Sequence, residues 1–183
     1  MNDKSVALIE LSSVAAGFRV ADTMLKAGDV RLLLSRSICS GKYMVLIGGD
    51  PASVKAATEA GLQSGHGFLI DNTILANIHP DVVSAIGRNA APPPGGALGV
   101  IESFNVAALI RAADTVAKSA HVTLHDLRLA MALGGKAFCL ITGDVASVEV
   151  AVKAGAKVLA EAGVLVDAVV IPRPHPDVYR EII

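Results

Sequence analysis

Hydrophobic and polar positions along the chain follow two periods, and the same alternation is written twice. Val6 to Leu11 is a mostly apolar run of strand length. Val14, Phe18, Ala21 and Leu25 follow at spacings of 4, 3 and 4, which puts an apolar stripe on one helix face. Ser13 stands where an N-cap belongs. A second strand starts at Val30, and a third, Tyr43-Met44-Val45-Leu46-Ile47, ends at Gly48-Gly49. Asp50 caps the next helix, with Pro51 at its first position, where a missing N–H costs nothing. The stretch from Phe68 to Leu75 gives a last strand, and His79-Pro80 opens a short helix.

The second half repeats this order. Ala7-Leu8-Ile9-Glu10 returns as Gly99-Val100-Ile101-Glu102, and Ala21-Asp22-Thr23 as Ala113-Asp114-Thr115, each 92 residues on. Gly41-Lys42 and Gly49-Asp50 return 94 residues on, as Gly135-Lys136 and Gly143-Asp144. His79-Pro80-Asp81-Val82 returns as His175-Pro176-Asp177-Val178, 96 residues on. The offset grows at a loop and near a helix end, where insertions leave a fold intact. Asn105 replaces Ser13 as cap, and Val106, Ile110, Ala113 and Ala117 repeat the stripe. Asp144 caps without a proline, and Val164 to Ile171 repeats the last strand.

Each copy therefore reads β-α-β-β-α-β plus a short helix. That is an α+β fold of the ferredoxin-like, split βαβ kind, with helices on one face of an antiparallel sheet. Asn89-Ala90-Ala91-Pro92-Pro93-Pro94-Gly95-Gly96 reads as the linker, giving domains at 1–90 and 91–183. Two copies in one chain suit adjacent places in a ring, so that three chains would form a pseudo-hexamer, and the duplication fits an ordinary pseudo-symmetric monomer or dimer as well.

Composition narrows the classes. The chain is 52% hydrophobic with a mean hydropathy of +0.55, yet no apolar run reaches the roughly 18 residues of a membrane span. Met1-Asn2-Asp3-Lys4 leads straight into a strand without the apolar core of a signal peptide. The excess apolar surface is expected to be covered by other subunits. A net charge of -1 and 3% aromatic residues give no nucleic-acid footprint. With 2 cysteines there is no disulfide framework.

One loop stands out. Ser37-Ile38-Cys39-Ser40-Gly41-Lys42 is a run of small residues between two strands, with a cysteine where packing would not place one. Its counterpart, Met131-Ala132-Leu133-Gly134-Gly135, lacks the cysteine and offers only a thioether. Cys139, in Phe138-Cys139-Leu140-Ile141, reads as a buried small hydrophobe. From composition alone, a single Cys39 is a weak metal signal. Lys26 and Lys118 sit at helix C-terminal ends, where cations suit the dipole. The paired positions of His79 and His175 suggest a role in the fold. His66, His121 and His125 show no catalytic spacing, and no Ser-His-Asp order or paired carboxylates appear. Gly48-Gly49-Asp50 lacks the lysine and hydroxyl of a phosphate loop.

The pattern Ile9-Glu10, Ala21-Asp22-x-x-x-Lys26-x-x-x-Val30, Gly41-Lys42 and Gly49-Asp50 resembles the bacterial microcompartment shell domain. Val170-Ile171-Pro172-Arg173-Pro174-His175 is similar to the end of that domain. The resemblance covers nearly the whole chain and is strongest to the tandem-domain, trimeric type of propanediol-utilisation compartments. It implies a non-enzymatic protein in a microcompartment shell within the cytoplasm, with homotrimers tiling beside other shell proteins. It implies that the loop Ser37, Ile38, Cys39, Ser40 and Gly41 lines a central opening. It also implies that Cys39 from each of three chains holds one [4Fe–4S] cluster per trimer, for electron transfer or cluster exchange, with a redox enzyme inside as a possible partner. Lys26, Lys118 and Arg173 match tile-edge residues, whereas the first repeat departs with Asn77 where Arg173 stands. Two alternatives stay open: a tile without a cluster whose opening passes a metabolite, and a trimeric small-ligand-binding α+β protein.

Overall fold

The computed structural model describes residues 4–86, 95–130 and 133–180. The chain divides into two compact units, Met1–Ile78 and His79–Ile183. The division falls ahead of the proline-rich stretch, so the short helix after the first repeat belongs to the second unit. Residues 89–94 of the expected linker lie outside the described residues.

The first unit runs β1 (Ser5–Leu11), α1 (Val14–Ala27), β2 (Val30–Ile38), β3 (Lys42–Gly49), α2 (Pro51–Ser64) and β4 (Leu69–Ala76). Its sheet is antiparallel in the order β2-β3-β1-β4. The caps are those the sequence suggests. Ser13 Oγ accepts the Ala16 N–H at 3.2 Å, and Asp50 Oδ1 accepts the N–H groups of Ala52 and Ser53 at 3.0 and 3.1 Å. Both helices lie on one face. The core between them and the sheet joins Ala7, Ile9 and Leu11 of β1 to Val45 and Ile47 of β3, Val20 and Met24 of α1, and Val54 and Ala57 of α2. Each large side chain buried here contributes about 1.5–3 kcal/mol.

The second unit opens with α3 (Pro80–Ala85) and continues β5 (Ala97–Ser103), α4 (Val106–Ser119), β6 (Thr123–Arg128), β7 (Ala137–Gly143), α5 (Val145–Glu161), β8 (Leu165–Pro172) and α6 (Pro176–Arg180). Its strand order, β6-β7-β5-β8, is the same. The repeat extends to irregularities. β2 slips register against β3 between Leu32 and Leu34, and β6 slips against β7 between Leu124 and Asp126. A Cβ on Gly61 would collide with Met24 and Ile9, and one on Gly155 with Val116 and Ile101. A glycine at this place in both repeats lets the second helix of each unit lie close to the first helix and the sheet.

One expectation fails in the first unit and holds in the second. Of the stripe Val14, Phe18, Ala21 and Leu25, only Ala21 is buried; α1 turns Ala16, Gly17, Val20, Ala21 and Met24 inward instead. In α4, Val106, Ile110 and Ala113 are buried, as the stripe suggests, and Ala117 is partly so. The apolar period gives a helix but not which of two overlapping stripes meets the sheet. In both units the same stripe turns inward, with Leu109, Ala112 and Val116 of α4 standing where α1 has Gly17, Val20 and Met24; the other stripe of α4 is buried as well because α3 packs against that helix. The last strands also start and end one residue later than the pattern suggests.

Candidate functional site

The small-residue loop shrinks to a tight turn. β2 and β3 stay paired through Ser37↔Tyr43 and Ile38↔Lys42, leaving only Cys39, Ser40 and Gly41 outside the strands. The Lys42 N–H donates to the Cys39 carbonyl and closes the turn. Ser40 and Gly41 both take the left-handed conformation, with φ of 62° and 73°. That costs about 1–2 kcal/mol at Ser40 and nothing at Gly41. A Cβ on Gly41 would meet no atom within 4 Å, so the tip faces open space. Ile38 turns inward and Cys39 is half-buried, while Ser37, Ser40 and Gly41 are exposed.

The base of the turn is anchored. Lys42 Nζ lies 2.9 Å from Oε1 of Glu10, which is fully buried on β1. Ser35 and Tyr43 hydroxyls sit 2.9 Å apart, and the Tyr43 ring lies 5.3 Å from that of Phe18. The second unit repeats the ion pair as Lys136–Glu102 at 2.6 Å. This pairing is absent from the sequence reading, which treats Glu10 and Gly41-Lys42 as separate motifs. The signal was available, since both partners recur in both repeats. The second turn includes Met131 and Ala132, which lie outside the described residues. Its closing glycines, Gly134 and Gly135, are again left-handed.

The two thiols differ sharply. Cys139 on β7 is fully buried, and burial pushes its thiol up to about 12, with the nearby Asp126 charge adding to the effect. It stays a thiol and serves the core. Cys39, at an accessible tip, is the thiol a metal could reach. Among the described residues no three His, Cys, Asp or Glu side chains gather as a metal site. Among the described residues, one chain therefore offers Cys39 as a single accessible thiol rather than a complete donor set.

The tile-edge candidates fall into two kinds. Lys26 Nζ bonds Asp22 Oδ2 at 2.7 Å on an exposed surface. Lys118 Nζ bonds Asp114 Oδ2 at 2.6 Å, but there the aspartate is buried. Arg173 is exposed just after β8, in a left-handed conformation with φ of 49°, and its N–H donates to the Gly96 carbonyl. Asn77 takes the same turn with φ of 55°, donating to the Lys4 carbonyl. Asparagine suits that conformation better than arginine does.

Three of the histidines make contacts within the fold. His79 Nδ1 accepts the Asp81 N–H, and His175 Nδ1 the Asp177 N–H, each at 3.3 Å, so both hold the starts of short helices. His125 Nε2 lies 2.6 Å from Thr142 Oγ1, a buried pairing that no motif or spacing signals. Asp50 and Asp144 spend their carboxylates on helix caps; bonds from Ser53 and Ser147 hold both below the usual carboxylate range. No helix among the described residues is long and apolar enough to cross a membrane.

The BMC domain model matches residues 5–78 and 97–174, which are the two sheets with their paired helices. The chain is 37% identical over 180 residues to the bacterial microcompartment shell protein PduT of Citrobacter freundii, covering 98% of each chain. It is 33% identical over 190 residues to the carboxysome assembly protein CcmO of Synechococcus elongatus, covering 96% of this chain and 67% of that protein. A solved structure of a microcompartment protein from Desulfitobacterium hafniense DCB aligns with a TM-score of 0.87 at 47% identity, over 96% of this chain and 98% of that one. Two matched domains on one chain, and relatives that share both, lead to one conclusion: the chain belongs to the BMC-domain family, as a tandem-domain structural shell protein of a bacterial microcompartment.

Proposed function

We propose that three copies of the chain close into a pseudo-sixfold tile, and that their three Cys39 thiolates together hold one [4Fe–4S] cluster on its axis. The observation that carries this reading is the turn itself. A half-buried thiol stands at an open three-residue tip in the first unit, while the second cysteine is sealed in a core. Such clusters ordinarily take four thiolates, so three chains would leave one iron for a small exogenous ligand. Bound there, the cluster would supply one-electron transfer at the shell. Cys39 acts as ligand, Ser40 and Gly41 keep the tip narrow, and the Lys42–Glu10 pair fixes its base. Tiles would meet each other and other shell proteins edge to edge through Lys26, Lys118 and Arg173. A redox enzyme inside the compartment is the partner such a site implies.

The test is anaerobic purification with iron, sulfide and mass determination. One cluster per three chains is expected. Cys39→Ser should abolish iron binding while the trimer persists, since the tip is not core. Cys139→Ser should keep the iron and lose about 1–3 kcal/mol of stability, because it puts a hydroxyl into an apolar site. One cluster per chain, or full iron after Cys39→Ser, would overturn the proposal. A trimer that never binds iron would favour the tile whose opening passes a metabolite.

A further inference from the structure

The two repeats place an arginine on the strand leading into the turn and then surround it differently. Arg36 on β2 and Arg128 on β6 are equivalent, 92 residues apart. Nη2 of Arg128 lies 3.0 Å from Oδ2 of the buried Asp126, two residues back on the same strand, and its guanidinium stands 5.4 Å from the centre of the Phe138 ring. The first unit lacks both partners: Leu34 stands where Asp126 does, and Met44 where Phe138 does. Arg36 is partly buried, its Nε is shut away from solvent, and among the described residues that nitrogen has no hydrogen-bond partner.

The difference is one carboxylate, and it falls at the turn that carries the cysteine. Beside the second turn, Arg128 is matched by Asp126 and Lys136 by Glu102. Beside the first, Lys42 is matched by Glu10, which leaves the charge of Arg36 over. Asp71 and Asp167 pair in register with Glu10 and Glu102 on the outer strands, so they are common to both units and cancel in the comparison. Residues 37–41 and 129–135 add no charge to either turn. A guanidinium keeps its proton, so a partly buried one with an orphaned N–H is costly unless a negative group outside the chain meets it.

We infer that Arg36 sets the charge around the group proposed at Cys39, and that Leu34, in place of an aspartate, leaves that charge unneutralised. Three residues along an extended strand span about 10 Å, and two unit charges that far apart in water shift an equilibrium about twofold. In a trimer three guanidiniums act on one axial site, and their effects add. The held group is anionic, because three thiolates outweigh the positive core, and it gains one more negative charge when it accepts one electron. Arg36 therefore favours the reduced form and raises the potential. The inference rests on the cluster reading above and names a residue that would set the cluster's potential without ligating it.

The test is a redox titration of the full-length chain, purified anaerobically, with dithionite as reductant and electron paramagnetic resonance to follow the reduced cluster. Arg36→Leu should keep the trimer and its iron and shift the midpoint to lower potential. It should lose no folding stability, because the orphaned N–H goes with the guanidinium. Leu34→Asp should shift the midpoint the same way, since it rebuilds the Asp126–Arg128 pair in the first unit and leaves Arg36 in place. Arg36→Lys keeps the charge and should hold the midpoint at the parent's value. An effect of packing alone would not follow charge across these three variants. A parent that binds no iron would overturn the cluster reading and this one with it. A cluster whose midpoint is unmoved by Arg36→Leu or by Leu34→Asp, or that moves as far in Arg36→Lys as in Arg36→Leu, would overturn only the role of Arg36.

Discussion

Glu10, fully buried on the central strand of its sheet, is held 2.9 Å from Lys42 at the foot of the Cys39 turn. The second unit keeps the pair as Glu102 and Lys136, but there both side chains are partly exposed. Taking the ammonium from a buried carboxylate is costly, whereas an exposed pair is worth little. Lys42→Met should therefore destabilise by about 3 kcal/mol, and Lys136→Met by less than about 1 kcal/mol. Urea unfolding of the two variants checks this. Equal losses would mean that the burial of Glu10 does not set the strength of the pair.

The exchange of size between repeats gives a second prediction. Gly17 faces the Tyr43 ring, and a Cβ there would strike it. At the equivalent places the second unit has Leu109 and Ala137, both fully buried, so large and small are swapped. Gly17→Leu alone should destabilise by about 1–3 kcal/mol through overpacking, despite better helix propensity. Adding Tyr43→Ala should recover part of the loss, and the double-mutant cycle should show coupling of about 1 kcal/mol or more. Simple additivity would show that the sites pack independently.

The two aspartate caps predict an acid-side pH dependence. Hydrogen bonds from the first turns of α2 and α5 depress the carboxyls of Asp50 and Asp144. A carboxyl depressed on folding gives its full stabilisation above its unfolded pKa, near 3.9 for aspartate, and loses it as pH falls through the folded value. The stability gap between the parent and the Asp50→Ala/Asp144→Ala variant should be level from about pH 5 to 7 and narrow below about pH 4. A gap that widens on acidification would contradict the caps as its source.

Lys26 and Lys118 separate in a fourth experiment. Lys26→Ala removes an exposed i,i+4 pair and should cost about 0.5 kcal/mol or less. Lys118→Ala leaves Asp114 buried with only one of its two bonds, so it should cost about 1–3 kcal/mol more. Both variants should still form the trimer, and each should weaken sheet formation between tiles. Thermal melts and electron microscopy of the assembled sheets would check the two halves. Sheets from both variants as extended as the parent's would remove these lysines from the edge.

The duplication, the order of elements in each repeat and the caps at Ser13, Asp50, Asn105 and Asp144 were all legible in the chain, because they rest on local periodicity and on backbone groups within one turn. The odd cysteine at Cys39 was legible too, since it breaks a pattern that the second repeat keeps. Three things were decided only in three dimensions. The missing side chain of Gly17 admits the ring of Tyr43, residues that meet across 26 positions of sequence, and whether a helix's other stripe is buried depends on what packs over it, as α3 does on α4. The Glu10–Lys42 pair joins neighbouring strands, so its burial follows from the sheet rather than from either motif. The placing of α3 with the second unit also needs tertiary contacts, because the sequence marks where a helix starts but not which surface it covers. Equivalent positions of the two repeats thus end up in different surroundings: Ile110 is enclosed where Phe18 is bare, and burial belongs to the neighbours a residue acquires rather than to the residue itself.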